Sequence, residues 1–268
     1  MARSQVLSNI MNLIDIATEE LSIEKQFLCD LTASIEKQDE KNSRKPSNTY
    51  KPSSLHCIRN MYFQITGSEV KGERATSELV GICESGTDRH ERIQNSISMM
   101  KDTGIDCEYI NVGDYVKEQQ SKGRLLDLDV VAQQGNETKL YNKALNMSFL
   151  CDGIIKYKGF YYILEIKTES ANKFWDRKDV NPDHVLQGTA YALNFDINQV
   201  IFLYECRDTC NKKTFMLRVT DDMKQALVGK ITECDDYVKS LTVPPKPKDI
   251  SQRACGYCGY SEICKRYM

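Results

Sequence analysis

The chain has 268 residues, 41% of them apolar and 28% charged, with a net charge of −2. That length can bury a sizeable core, in one large domain or one domain with appendages. No run is long and apolar enough to cross a bilayer, and the near-neutral balance excludes a global attraction to nucleic acid, so such binding must come from local basic patches.

The opening MARSQVLSNIMNLIDIATEEL is broken by charged and polar residues, unlike a signal peptide. The cysteine count is eleven, an odd number. Together these point to a reducing cytoplasm with some metal-bound thiolates, not to a disulfide scaffold.

Ser4 to Lys37 has helical periodicity, with Val6, Leu7, Ile10, Leu13, Ile14 and Ala17 on one face, then Ile23, Phe27, Leu28 and Leu31. Ser22 is a plausible N-cap between two helices packed on the body. Asp39 to Ser54 is polar, carries two prolines and reads as a linker whose Lys41, Arg44, Lys45 and Lys51 belong to a solvated loop or touch phosphates. A boundary follows, with a helical region and linker over residues 1–53 and the main domain over 54–268.

A short helix from Ser54 carries Cys57, then Arg59, Tyr62 and Phe63. Glu73 to Gly104 reads as two helical pieces broken near Gly86, with His90 in the first turn of the second. A lone histidine there is ordinarily a surface or capping residue. Between Cys107 and Asn146 the pattern gives a helix at Asp114–Gln120 and a strand at Leu126–Ala132. Asp127 and Asp129 share a face of that strand, as on an edge strand in water, and QQGNET reads as a polar turn.

Met147 to Thr168, MSFLCDGIIKYKGFYYILEIKT, reads as a hairpin turning at Lys156–Gly159. Asp152 falls near the middle of its first strand. Glu165 and Lys167, two apart on the second, leave the same face. Carboxylates on an apolar frame are costly unless they meet a cation or one another. A divalent ion held by Asp152, Glu165 and the Ile166 carbonyl would meet that cost, leaving Lys167 for a water or a phosphate oxygen. The plainer alternative is a solvated strand on which Glu165 and Lys167 pair.

A polar crossing with the only tryptophan, Trp175, leads to a helix at Pro182–Asn194, where Gln187 and Tyr191 share a face. Two strands follow, QVIFLYECR and KTFMLRVT, then a helix over Asp221–Leu241 opened by Asp221 or Asp222. The order makes an α/β sheet. The tail closes with Cys255, Cys258 and Cys264, a C-x2-C-x5-C spacing that signals zinc or an iron–sulfur cluster but lacks a fourth ligand.

With these pieces in place, the chain resembles the PD-(D/E)xK nuclease superfamily. Within it, the chain is similar to the RecB-like iron–sulfur exonucleases, a group that includes CRISPR-associated adaptation nucleases and phage relatives. The motif order carries the resemblance: His90, Asp152, Glu165 with Lys167, then Gln187 with Tyr191, and Cys57-Ile-Arg-Asn-Met-Tyr-Phe with the tail triplet. Ile58 stands where the family often has proline. The match covers about Ser54 to Met268.

It implies a restriction-endonuclease-like mixed central sheet flanked by helices. His90, Asp152, Glu165 and the Ile166 carbonyl would hold Mg²⁺ or Mn²⁺. Lys167 would handle the attacking water, and Gln187 and Tyr191 would support it. Cys57, Cys255, Cys258 and Cys264 would bind a [4Fe–4S] cluster, with zinc as the alternative. The implied activity is a metal-dependent DNA exonuclease on single strands or DNA ends, in recombination, repair or phage DNA processing. The alternative is a nucleic-acid-binding subunit of an adaptation or recombination complex that cuts little. Implied partners are DNA, a second copy of the chain, or recombination or adaptation proteins, and no membrane.

Overall fold

A computed structural model describes residues 22–41, 47–70, 76–134, 136–248, 250, 255–256 and 258–267. The first expected N-terminal helix, over residues 4–20, and the linker residues Arg44 and Lys45 lie outside the described residues. The chain divides into two compact units, Met1–Ser43 with Arg74–Ile82, and Arg44–Glu73 with Cys83–Met268. In the smaller unit, helix α1 (Ile23–Lys41) begins where the Gln26 N–H donates to the Ser22 carbonyl at 3.0 Å. Its Ile23, Phe27, Leu28 and Leu31, expected to pack, are exposed. Periodicity defines a helix face but not what covers it.

In the larger unit, five strands form the central sheet in the order β1-β5-β6-β7-β8. They are β1 (Cys107–Ile110), β5 (Gly153–Tyr157), β6 (Phe160–Glu169), β7 (Gln199–Cys206) and β8 (Lys212–Arg218). Only β6 and β7 run parallel, so the sheet is mixed, as expected. A parallel pair needs a crossover, and α5 (Ala171–Asp176) and α6 (Pro182–Phe195) supply it. Asn181 caps α6 through the Asp183 N–H, with Pro182 at the first helical position. A separate antiparallel meander holds β2 (Leu128–Gln134), β3 (Glu137–Asn142) and β4 (Met147–Cys151), with β2 at its edge. Completing the unit are α2 (Ile58–Ile65), most of α3 (Ser77–Ser98), α4 (Val112–Ser121), α7 (Asp221–Lys239) and α8 (Ser261–Lys265).

Alternation along β6 sorts its side chains between two layers. Ile163 joins the main core with Ala190, Tyr191 and Phe195 of α6 and Leu227 and Ile231 of α7. Leu164 and Ile166 point the other way and cluster with Ile93 of α3. The sheet is therefore covered on both faces. A fully buried ring such as Phe202 contributes about 2–3 kcal/mol.

Four further expectations change. Gly86 does not break the helix. α3 runs unbroken through it, and His90 sits well inside the helix instead of in its first turn. An interior glycine costs about 1 kcal/mol, which tertiary packing such as that of buried Ile93 overrides. Cys57 is the N-cap of α2 and not part of the helix, and Thr220, not an aspartate, caps α7 by accepting from the Met223 N–H.

The fourth change matters most. Met147 to Thr168 is three strands, not two, because the chain leaves the meander at Cys151 and enters the central sheet at Gly153. Asp152 is the link between the sheets and not a mid-strand residue. The hairpin proper joins β5 to β6 through Lys158 and Gly159, both at positive φ, as a tight two-residue turn requires.

Candidate metal and hydrolytic site

The break at Asp152 frees an edge. β5 pairs with β6 only as far as Gly153 opposite Leu164. Beyond that point the next β6 amide on the same side, at Ile166, donates to Asp152 Oδ2 at 2.6 Å. The Asp152 carbonyl is held in turn by Gln94 Nε2 of α3 at 2.7 Å and by the Tyr109 hydroxyl of β1. Gly153 makes this possible. A Cβ there would stand 2.7 Å from the Tyr109 ring, so only glycine lets the phenol reach across. Both ends of Asp152 are thus fixed by groups that leave Oδ1 for other work.

His90, one turn before Gln94 on α3, puts Nδ1 3.2 Å from Asp152 Oδ1. The same nitrogen is 3.7 Å from Glu137 Oε1, at the start of β3. These three residues bring ligand atoms within 4.8 Å of one another. Burial lowers the basicity of His90, but Asp152, Glu137 and Glu165 outweigh it and carry the imidazole up to about 10. Without an ion, the imidazolium neutralises the acids.

Glu165 lies across the freed edge and is 2% exposed. Its Oε1 accepts from Lys167 Nζ at 2.6 Å and from Gln187 Nε2 at 2.6 Å. Its Oε2 is buried and has no hydrogen-bond partner among the described residues. Burial pushes the carboxyl up to about 7, Lys167 pulls it down, and Asp152 adds to the rise. Lys167 moves up despite burial, because the Glu165 charge holds its proton. Gln187 clasps both ends of the pair, its Oε1 accepting from Lys167 Nζ at 3.0 Å. Its Nε2 also donates to the Tyr191 hydroxyl at 2.8 Å, and that hydroxyl donates to the Leu150 carbonyl at 3.1 Å.

His90, Asp152, Glu165, Ile166, Lys167, Gln187 and Tyr191 therefore gather in one place, linked by these bonds and by the charge coupling of Asp152 and His90 to Glu165. A strand residue projects its own N–H and C=O to the same edge, so the Ile166 carbonyl leaves on the edge that carries its N–H. Sequence reasoning missed Glu137, Gln94 and Tyr109. Glu137 was absorbed into a polar turn, and no local pattern marks it.

The donor set fits a hard divalent cation. It offers carboxylates, one imidazole and a backbone carbonyl, and an unpaired buried oxygen at Glu165 is the kind of orphan that a cation would satisfy. A cation would also reverse the rise of the Glu165 pKa.

Elsewhere in the unit, Cys57, Cys255, Cys258 and Cys264 line one cavity of about 280 Å³ with Arg59 and Asn60. Asn60 Nδ2 donates to Cys258 Sγ at 3.4 Å, and Arg59 Nη1 to Cys264 Sγ at 3.4 Å. Arg59 is 6% exposed, and its other donors meet the Pro244 carbonyl at 2.7 Å and the Tyr267 carbonyl at 3.0 Å. Burial raises the Cys57 and Cys258 thiols above their ordinary value. Among the described residues the cysteines do not form a group of three placed to share one ion. The described cysteines are all free, and those outside this cavity are Cys29, Cys83, Cys107, Cys151, Cys206, Cys210 and Cys234.

No protein-family model matches the chain, and no curated protein matches it in sequence. Among solved structures it is similar to SSO0001, at 17% identity and a TM-score of 0.48, covering 90% of this chain and 98% of that one. It is also similar to LHK-Exo in complex with dAMP, at 13% identity and a TM-score of 0.41, over 72% of this chain and 91% of that one. A structure of the alkaline exonuclease LHK-Exo from Laribacter hongkongensis gives 9% identity and a TM-score of 0.35, over 73% and 90% of the two chains. At such low identities and scores, chemistry must be read from this chain's own side chains.

Proposed function

We propose that this chain is a metal-dependent DNA exonuclease that hydrolyses phosphodiester bonds on single strands or DNA ends, in recombination, repair or phage DNA processing. One observation carries the reading. Asp152 and Glu165 meet at a freed strand edge with His90 beside them, and one buried Glu165 oxygen is left without a partner. A solvated strand face would not bury Glu165 or clasp it from a helix.

His90, Asp152, Glu165 and the Ile166 carbonyl, joined by Glu137, would hold Mg²⁺ or Mn²⁺, with the imidazole nitrogen favouring Mn²⁺. When bound, the ion supplies Lewis acidity at a phosphoryl oxygen and acidifies water. The chain's own part follows from its bonds. Glu165 Oε1 is taken by Lys167 and Gln187, so Oε2 would be the oxygen left to hold the ion. Lys167, protonated beside Glu165, donates to the attacking water or to the charge growing on phosphorus. Gln187 and Tyr191 fix the Lys167 ammonium and so act by positioning.

For the cysteine cavity, the finer proposal is a [4Fe–4S] cluster on Cys57, Cys255, Cys258 and Cys264. Two N–H donors aimed at sulfur and the buried Arg59 cation support thiolates there, in a cavity that all four cysteines line. An optical spectrum with metal analysis separates the cluster from zinc.

The hydrolytic reading is tested by incubating end-labelled single- and double-stranded DNA with Mn²⁺ beside Asp152→Ala and Lys167→Ala. Wild type should shorten labelled DNA from its ends, and each variant should lose about a thousandfold or more in rate. A wild-type protein that binds DNA and leaves it whole would instead favour a binding subunit of an adaptation or recombination complex.

A further inference from the structure

Beyond the end of β6 the only tryptophan of the chain, Trp175, stands 52% exposed on α5. Its underside is rigid. The ring meets buried Phe174 edge-on, with centroids 5.1 Å apart. Lys213 Nζ lies 4.7 Å from the Phe174 centroid and 5.4 Å from that of Trp175. That ammonium is fixed by the carbonyls of Phe174, Trp175 and Arg177, at 2.7, 3.2 and 3.3 Å. The first turn of α5 is pinned where the Ala171 N–H donates to Asp208 at 2.7 Å. A large exposed indole on such a base loses little further freedom when a flat ligand covers it.

The register ties this ring to the hydrolytic site. Lys167, Tyr204 and Lys213 are directly paired across β6, β7 and β8 and so share a face. Two strand spacings separate Lys213 from Lys167, about 10 Å. At about 3.4 Å per stacked nucleotide that is two or three nucleotides of single strand. Arg177 fills the interval, its guanidinium carbon 4.6 Å from the Tyr204 centroid and its Nε 2.7 Å from Glu169. Lys173 and Lys178 flank the indole, exposed and without an ion pair among the described residues. Asp176 and Asp179 lie in the same segment, so its positive field is local. The ring itself must supply most of the attraction.

We propose that Trp175 is a stacking platform for an unpaired nucleobase, two or three nucleotides from the bond positioned at Lys167, on a single-stranded nucleic-acid end. The proposal deepens the hydrolase reading and rests on it for the position of the bond. A base within a duplex is stacked on both faces and cannot take the indole, so the platform selects single strands. The plainer account, that the indole only shields Lys213, predicts that any large apolar side chain would serve.

The chain reports on itself, because its one tryptophan is the site. Titrating the whole protein in EDTA with single-stranded oligothymidylate should quench its fluorescence saturably, and the matching duplex should do so far more weakly. By anisotropy of labelled oligothymidylate, Trp175→Ala should bind about tenfold more weakly. Trp175→Phe should recover most of that loss and Trp175→Leu should not, with thermal melts showing that each variant is folded. Binding without quenching, or Trp175→Leu equal to Trp175→Phe, would overturn the platform. With Mn²⁺ the two readings separate. Quenching without strand shortening leaves the platform standing and removes the hydrolase, whereas shortening that is indifferent to Trp175 removes the platform alone.

Discussion

The carboxylate site and the cysteine-lined cavity are both polar pockets, but they are held in opposite ways. Around Asp152 and Glu165 each polar side chain is carried by a strand, a helix or the single-residue link between two sheets, and one buried Glu165 oxygen is left without a hydrogen bond among the described residues. Around the cysteines, the frame is the eight-residue α2 and the five-residue α8, with a tail between. Side-chain donors reach the sulfurs from Arg59 and Asn60. The first pocket is shaped before any ion arrives, while the second would owe its shape to any metal group that the cysteines hold. One should lose function when stripped, the other should lose structure.

Three variants test that contrast. Cys258→Ala has the largest expected effect. If a cluster ties Cys57 to a tail about two hundred residues away, losing one thiolate releases a long loop and a metal contribution on the order of 10 kcal/mol. The product should be colourless and poorly folded, and a brown, stable variant would show that the pocket holds itself. Next comes Gly153→Ala. The added methyl must displace Tyr109 and with it the carbonyl anchor of Asp152, costing about 1–3 kcal/mol. The fold should survive with a lower melting temperature, and calorimetry should show Mn²⁺ binding weakened at least tenfold. Unchanged Mn²⁺ affinity would mean that Asp152 does not depend on its carbonyl anchor.

The smallest effect belongs to Glu205→Gln. Buried Glu205 accepts from Arg89 at 2.8 Å and Arg92 at 2.6 Å, the residues flanking His90 on α3, and its other oxygen lies 3.1 Å from Lys212. Burial pushes this carboxyl up, but the hydrogen bonds from Arg92, Lys212 and Arg89 overcome it and hold it below 4.5. Since the folded value is depressed, the stabilisation is complete above about pH 4.5 and fades as pH falls through the folded value. The three cations are partly exposed, so the loss at neutral pH should be about 1–2 kcal/mol. Urea melts should show the gap to wild type closing below pH 4.5. A gap that persists in acid would mean that shape, not charge, holds α3 against β7.

Much of this was legible from the residues. Apolar runs marked β6, β7 and β8, Glu165 and Lys167 shared a face, and α6 began at Pro182. What stayed hidden was tertiary in origin. Nothing local shows that Cys151 and Gly153 belong to different sheets, because both neighbours of Asp152 look like strand. Gly86 signals a break that packing overrides. Glu137 belongs to a polar run that reads as a turn, and only the meander, where it opens β3, carries it to His90. Periodicity reports which faces are apolar, but not which distant segment arrives beside them.

The place of Asp152 between two sheets has a mechanical consequence. An ion shared by Glu137, Asp152, His90 and Glu165 would rivet the meander, the long helix and the central sheet at a single point. Amides near that junction would then exchange with heavy water more slowly once the ion is seated. Loading the protein would stiffen it as well as arm it.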